Sequence, residues 1–240
     1  MAQTRVAARK TAKRRQWVSA AKSQAASRRG AQRRAQTRSA LIKAAQRLIA
    51  EERTNVAILE ITQLADVGIG SFYNHFESRD ELFEAAVHDA LEVQGAFLDQ
   101  LTTGLDDPAA AFARSFRMVG RLHRHVPELS KVILSKGASL ITSDHGLAPR
   151  ALRDIRAAVE AGRFSTRDPG AALLIAGGAA LALAQQLHEH PEVDAAVLTD
   201  TVTESLLLML GLSAEDARDL VAHDLPEVDG PFEGRPKAAS

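Results

Sequence analysis

Glu60-Ile61-Thr62-Gln63-Leu64-Ala65-Asp66-Val67-Gly68-Ile69-Gly70-Ser71-Phe72-Tyr73-Asn74-His75-Phe76 reads as two short helices joined by a tight turn, the layout of a helix-turn-helix. The first, from about Ile58 to Ala65, points Ile61, Leu64 and Ala65 inward. The second, from Ile69 to His75, must begin with small or polar residues, because only a slim helix fits the major groove of DNA. Ile69, Gly70 and Ser71 meet that need. Tyr73 and His75 follow with polar side chains that can donate to phosphate oxygens, while Phe72 and Phe76, four apart, anchor the helix to a core.

Outward from this stretch the pattern stays helical. Leu41, Ala44, Ala45, Leu48 and Ile49 form the apolar stripe of a helix from about Arg38 to Glu52. Ser78 reads as the N-cap of a fourth helix, with Glu81 at the capping-box position and Phe83, Val87, Ala90, Gln94, Phe97 and Leu101 spaced 4-3-4-3-4 toward Gly104. Asp107-Pro108 starts a fifth helix to about His125, and Val126-Pro127 a sixth to about Ile141. Further segments run about 147–161, 169–188, 193–210 and 214–222. Aromatic residues are 4% of the 240 and strand-like alternation is nearly absent, so the fold class is all-α.

Net charge is zero, from 30 Lys+Arg against 30 Asp+Glu, but its distribution is steep. Residues 1–38 hold 12 basic side chains and no acid, leaving −12 on the remainder. Such asymmetry points to a nucleic-acid or membrane-surface arm on an acidic body. The arm lacks the apolar segment of a secretory signal. Its Arg-rich, acid-free composition also fits a mitochondrial transit peptide or a solvated tail without a role. Zero Cys excludes disulfides, Cys-based zinc sites and a thiol nucleophile, and fits a cytoplasmic protein.

The run Gly70 to Phe76, followed by Glu77-Ser78-Arg79-Asp80-Glu81-Leu82-Phe83, resembles the recognition helix and start of helix 4 of TetR-family transcriptional regulators. The resemblance covers about Arg38 to Val87. It implies an N-terminal three-helix DNA-binding domain followed by a helical effector-binding and dimerisation domain. It further implies that Ile69, Gly70, Ser71 and Asn74 face bases or the groove, and that Tyr73, His75 and Arg79 hold phosphates. Two positions depart from the family pattern. Its turn glycine is Asp66 here, a residue that tolerates a left-handed backbone at some cost, and the following Ser is Gly68, which removes an N-cap hydroxyl.

Residues 39–88 carry 4 basic and 8 acidic groups, a poor balance for a module approaching phosphate. The basic extension supplies what is missing: Arg28 to Arg38, with Arg33, Arg34 and Arg38 nearest the motif, are expected to track phosphates or enter the adjoining minor groove. The expected divisions are a flexible extension over 1–37, a DNA-binding domain over 38–80, a ligand-binding and dimerisation domain over 81–222 and a disordered tail over 223–240.

Ala171–Ala184 is 14 apolar or Gly residues long, whereas a membrane span needs roughly 20. It reads as a buried helix, and with the apolar end of the 193–210 segment it is expected to make a homodimer interface. No Gly-rich phosphate loop, nucleophile elbow or His-Glu-x-x-His is present, so neither an enzyme nor a cofactor is expected. His123 and His125, like His188 and His190, are two apart and face different ways on a helix, unlike an i, i+4 chelate. A small-molecule effector, implied by the resemblance, would find apolar lining among Phe97, Phe112, Phe116, Met118, Leu122, Leu134, Ile141, Leu173 and Ile175. Arg117, Arg121 and His123 either meet an acidic ligand or face water. The reading is a homodimeric, ligand-responsive repressor on a palindromic double-stranded DNA operator; the alternative is a sequence-indifferent DNA-coating protein driven by the basic arm.

Overall fold

The computed structural model describes residues 27–226, and every regular element among them is helical. They divide into two compact units, one holding residues 27–44 with Val56–Arg79, the other Ala45–Asn55 with Asp80 onward.

The first unit contains the leading part of α1 (27–50), α2 (Ile58–Leu64) and α3 (Ile69–Phe72). Its large buried side chains are Leu41 and Ile42 from α1, Ile61 from α2 and Phe72 and Phe76 from α3 and its end. Asp66 ends α2 in the left-handed region, at φ 53°. There the Val67 N–H donates to Thr62 O and the Asp66 N–H to Gln63 O, the paired bonds that close a helix through a left-handed residue. Gly68 precedes α3 with no side-chain cap, as the missing hydroxyl requires.

α1 differs from the expected Arg38 start. Helix extends back to residue 27, so 27–37 are not a loose arm, while the rest of the basic extension, 1–26, lies outside the described residues. Ala and Arg, frequent in this stretch, are strong helix formers, and a helix is too wide for the minor groove.

The second unit consists of the end of α1, α4 (Arg79–Thr102, from Asp80 on), α5 (Pro108–His125), α6 (Pro127–Leu134), a 3₁₀ turn (Gly137–Thr142), α7 (Leu147–Glu160), α8 (Pro169–Glu189), α9 (Ala195–Met209) and α10 (Ala214–Ala222). Side-chain caps set several starts: Asp107 accepts from the Ala109 N–H, Asp168 from Gly170 and Ala171, Asp194 from Ala196 and Val197, and Ser213 from Asp216. The sixth helix stops at Leu134 instead of running to Ile141, because Gly137 adopts φ 54° and the chain tightens into the 3₁₀ turn.

α5 lies at the centre of this unit, packed against α6, α7, α8, α9 and α10. Phe112 meets Phe164 edge-on at 5.6 Å, within a core that also holds Phe116, Ile155, Leu187 and Leu207. On its far side Arg117, 5% exposed, donates to Asp200 at 2.8 Å and to His223 O at 2.7 Å, and Arg121 donates to the same carboxylate. These two arginines therefore serve α9. The start of the tail is held too: Leu225 packs against the cluster of Leu98, Leu101, Met118 and Leu122, so 223–226 are ordered by contact, and 227–240 lie outside the described residues.

α8 is 21 residues long and apolar enough by length and composition to cross a membrane, but only 28% of its apolar window is buried within the chain. It is therefore not a helix enclosed within the chain. Leu174 and Ile175 on α8, and Val197, Leu208 and Met209 on α9, are exposed.

Candidate DNA-contact surface and effector cavity

α3 turns Phe72 and Phe76 into the core and leaves the opposite face open. Ile69 and Tyr73 are 50% and 61% exposed, Gly70 and Asn74 are exposed, and Ser71 and His75 are half-buried. A methyl group added at Gly70 would meet no atom within 4 Å, so nothing inside the protein requires glycine there. Arg79 opens α4, just past this surface.

Arg34 and Arg38 lie one turn apart on α1 and converge on the end of α3. The Arg34 guanidinium donates to Asn74 O at 3.1 Å, and Arg38 sits over the Phe76 ring at 5.2 Å. Burial, then the nearby charges of Arg34 and Arg38, hold the His75 pKa below the ordinary histidine value. Arg33 is exposed and points about 100° round the helix from Arg34. The sequence marks all three as basic, but only the fold separates two that brace α3 from one that projects outward.

The second unit holds a partly open cavity of about 130 Å³ between α4, α5, α6, the 3₁₀ turn, α7 and α8. Leu91, Leu98, Phe112, Phe116, Ile133 and Leu173 form much of its apolar lining. One wall is charged. Arg150 donates to Asp99 at 2.8 Å, to Glu92 at 3.0 Å and to Gly146 O, while Arg153 bridges Asp99 at 3.0 Å and Asp154 at 2.8 Å. Burial raises the Asp154 pKa, against the opposing hydrogen bond and charge of Arg153. Hydrogen bonding from Arg150, then from the Gly146 N–H, lowers that of Glu92.

Two further polar groups line the cavity. His123 Nδ1 is 2.7 Å from Ser130 Oγ, and burial, with a smaller effect of His188, lowers its pKa to about 4. Gln94 is 1% exposed, and its Oε1 has no hydrogen-bond partner.

Of the residues expected to line a pocket, Phe112, Phe116, Ile141 and Leu173 do so. Phe97, Met118 and Leu122 belong instead to a cluster with Leu101 that lies behind the lining and shares Leu98 with it, Leu134 is outside the lining, and Ile175 is exposed. Helix geometry explains the split on α5: at 100° per residue Phe112, Phe116, Val119 and His123 share one face, and Met118 and Leu122 point roughly 100° away. Periodicity identifies inward residues but not which of two interior regions they meet. The charged lining of Asp99, Arg150, Arg153 and Asp154 carries no signal in the sequence, since charged positions on amphipathic helices ordinarily face water, and Gln94 shows there only as a member of the inward stripe. Among the described residues no three His, Asp or Glu side chains gather into a metal-ligating group.

Two family patterns match the chain: "Bacterial regulatory proteins, tetR family" over residues 41–86 and "Tetracyclin repressor-like, C-terminal domain" over 107–223. No protein of curated function matches it significantly. Among solved structures, RolR in complex with resorcinol is 34% identical, with 83% of this chain and 100% of that chain covered and a TM-score of 0.59. RolR without ligand gives 31% identity, 80% and 100% coverage and a TM-score of 0.56. A tetR-family regulatory protein from Rhodococcus RHA1, at 18% identity, 74% and 98% coverage and a TM-score of 0.58, shares the fold. With the helix-turn-helix in one unit, a helical C-terminal unit and these matches over most of its length, the chain belongs to the TetR family: it is a DNA-binding transcriptional regulator and not an enzyme.

Proposed function

We propose that this regulator is a cytoplasmic homodimeric repressor released from a palindromic operator by a small hydroxylated aromatic compound. The observation that carries the effector class is the cavity in the second unit. Its volume, about 130 Å³, is on the scale of the roughly 150 Å³ apolar cavity that accepts benzene, so it suits a single ring. Its apolar lining favours an arene, and the Asp99, Arg150, Arg153 and Asp154 wall offers acceptors and donors to ring hydroxyls. The likeness to RolR, a protein solved with resorcinol, supports the same class.

Dimerisation is assigned to α8 and α9, whose exposed Leu174, Ile175, Val197, Leu208 and Met209 are otherwise left in water. A two-fold dimer presents two recognition helices to an inverted repeat. On each subunit Ile69, Gly70, Ser71 and Asn74 face the groove, with Tyr73, His75, Arg79 and Arg33 on phosphates. Ligand acts by favouring a dimer whose recognition helices are misplaced for DNA, since equal affinity for both states shifts nothing.

Fluorescence anisotropy on an inverted repeat from the DNA upstream of its own gene tests this. Binding at physiological salt should exceed that to scrambled DNA by about 10³ or more and be lost on adding resorcinol. A ratio near one would identify a sequence-indifferent DNA coater. Sedimentation should show a dimer that Ile175→Glu dissociates; a membrane-bound or monomeric wild type would refute the interface.

A further inference from the structure

We infer that Gln94 is the residue that selects the effector for a hydrogen-bond donor, its amide oxygen accepting from a ligand hydroxyl. This rests on the effector-binding reading of the cavity. Among the described residues, two buried side-chain polar atoms lack a partner, Gln94 Oε1 and Thr199 Oγ1. Thr199 packs at the close approach to Gly120, away from the cavity, whereas Gln94 lines it beside Leu91 and Leu98. Buried carbonyl oxygens are almost always paired, and an unpaired one weakens the state that contains it.

The oxygen is unpaired because of its neighbours. Along α4, Leu91 and Leu98 flank Gln94 on the cavity side and have no donor, and the arginines of the charged wall are committed to Glu92, Asp99 and Asp154. Gln94 borders the cavity, so a ligand hydroxyl placed against its amide would supply the missing donor. A ring without a donor leaves the oxygen unpaired in the bound state too, so it forgoes this bond and binds more weakly. Gln94 and Asp99 both line the cavity from α4, five residues and about 7.5 Å of rise apart, so the amide and the charged wall meet a ligand at different points. The arrangement selects a ring with two separated hydroxyls over one with a single hydroxyl or none.

Calorimetry on the intact protein, using resorcinol, 3-methoxyphenol and 1,3-dimethoxybenzene, tests the assignment against Gln94→Leu and Gln94→Glu. Wild type should bind resorcinol and lose about tenfold or more for each methylated hydroxyl. Gln94→Leu should bind resorcinol about tenfold more weakly and discriminate less between resorcinol and 3-methoxyphenol. Gln94→Glu, which keeps an acceptor, should retain the preference for resorcinol. Unchanged affinity and unchanged preference in Gln94→Leu, with both variants folded by circular dichroism, would overturn the role of Gln94 while leaving the aromatic effector in place. Failure of wild type to bind any of the three would overturn the effector class and this inference together.

Discussion

The guanidinium of Arg38 lies over the ring of Phe76 at 5.2 Å, tying α1 to the end of the recognition helix. The cation sits on an aromatic side chain that is itself buried in the core. Arg38→Ala should therefore lower stability by about 0.5–1 kcal/mol, the range for an exposed cation–π pair. Arg33→Ala should leave the thermal midpoint unchanged but reduce the slope of log K against log salt by about 0.9 for each phosphate that the side chain no longer neutralises. An unaltered slope would remove Arg33 from the DNA interface.

Gly70 tests the exposed face of α3. Replacing it with Ala meets open space and improves helix propensity by up to about 1 kcal/mol, so Gly70→Ala should melt no lower than wild type. In the groove the added methyl would meet base edges, and affinity for the operator should fall at least tenfold. A variant with full affinity would show that α3 does not approach the bases closely at this position.

Gly95 lets the Arg150 guanidinium rest against the backbone of α4: a Cβ built there would fall 2.5 Å from the nearest guanidinium nitrogen. Because the obstructing atoms end a flexible side chain, Gly95→Ala should fold with a melting temperature within a few degrees of wild type. Arg150 should then be displaced from its position between Glu92 and Asp99. Resorcinol binding, measured by calorimetry, is expected to weaken tenfold or more, while DNA binding without effector stays intact.

His123 makes stability depend on pH. Burial holds its folded pKa at about 4, against 6.5 for the free side chain, so between these values the unfolded chain binds the extra proton. Stability should fall as pH drops through that window, by about 3 kcal/mol in all, and His123→Gln should flatten the slope. Asp200 acts lower on the scale. Burial pushes its pKa up, but hydrogen bonds from Arg121 and Arg117 outweigh this and leave it lowered, so its contribution is present above the ordinary carboxylate value and lost as pH falls through the folded one. Denaturant midpoints from pH 7 to pH 4 that do not differ between wild type and His123→Gln would refute the assignment.

Asp66 bears the left-handed strain of the turn between α2 and α3 at φ 53°. Asp66→Gly should raise stability by about 1 kcal/mol or less, since relief of the Cβ strain is partly offset by the greater freedom of glycine in the unfolded chain. Operator affinity should not change.

The helix-turn-helix was legible because its signals are local. The spacing of Ile61, Phe72 and Phe76, a turn at Asp66-Val67-Gly68 and small residues opening α3 all follow from chain geometry within seventeen residues. Asp107, before Pro108, marked a helix start for the same reason: its carboxylate acts on a backbone N–H two positions away. Helix ends were less legible. The sixth helix stops at Leu134 although the pattern of apolar residues continues beyond the point where Gly137 changes the backbone.

By itself the sequence determined an all-α chain, the position of its DNA-binding motif and the family to which it belongs. Tertiary structure alone decided that Arg38 braces Phe76, that Arg117 and Arg121 both serve Asp200, and that Gln94, Arg150 and Asp154 border one cavity while Met118 and Leu122 border another interior region. Periodicity reports the angle of a side chain about its own helix axis. Whether that angle meets a neighbour, a void or water depends on where the other helices pack.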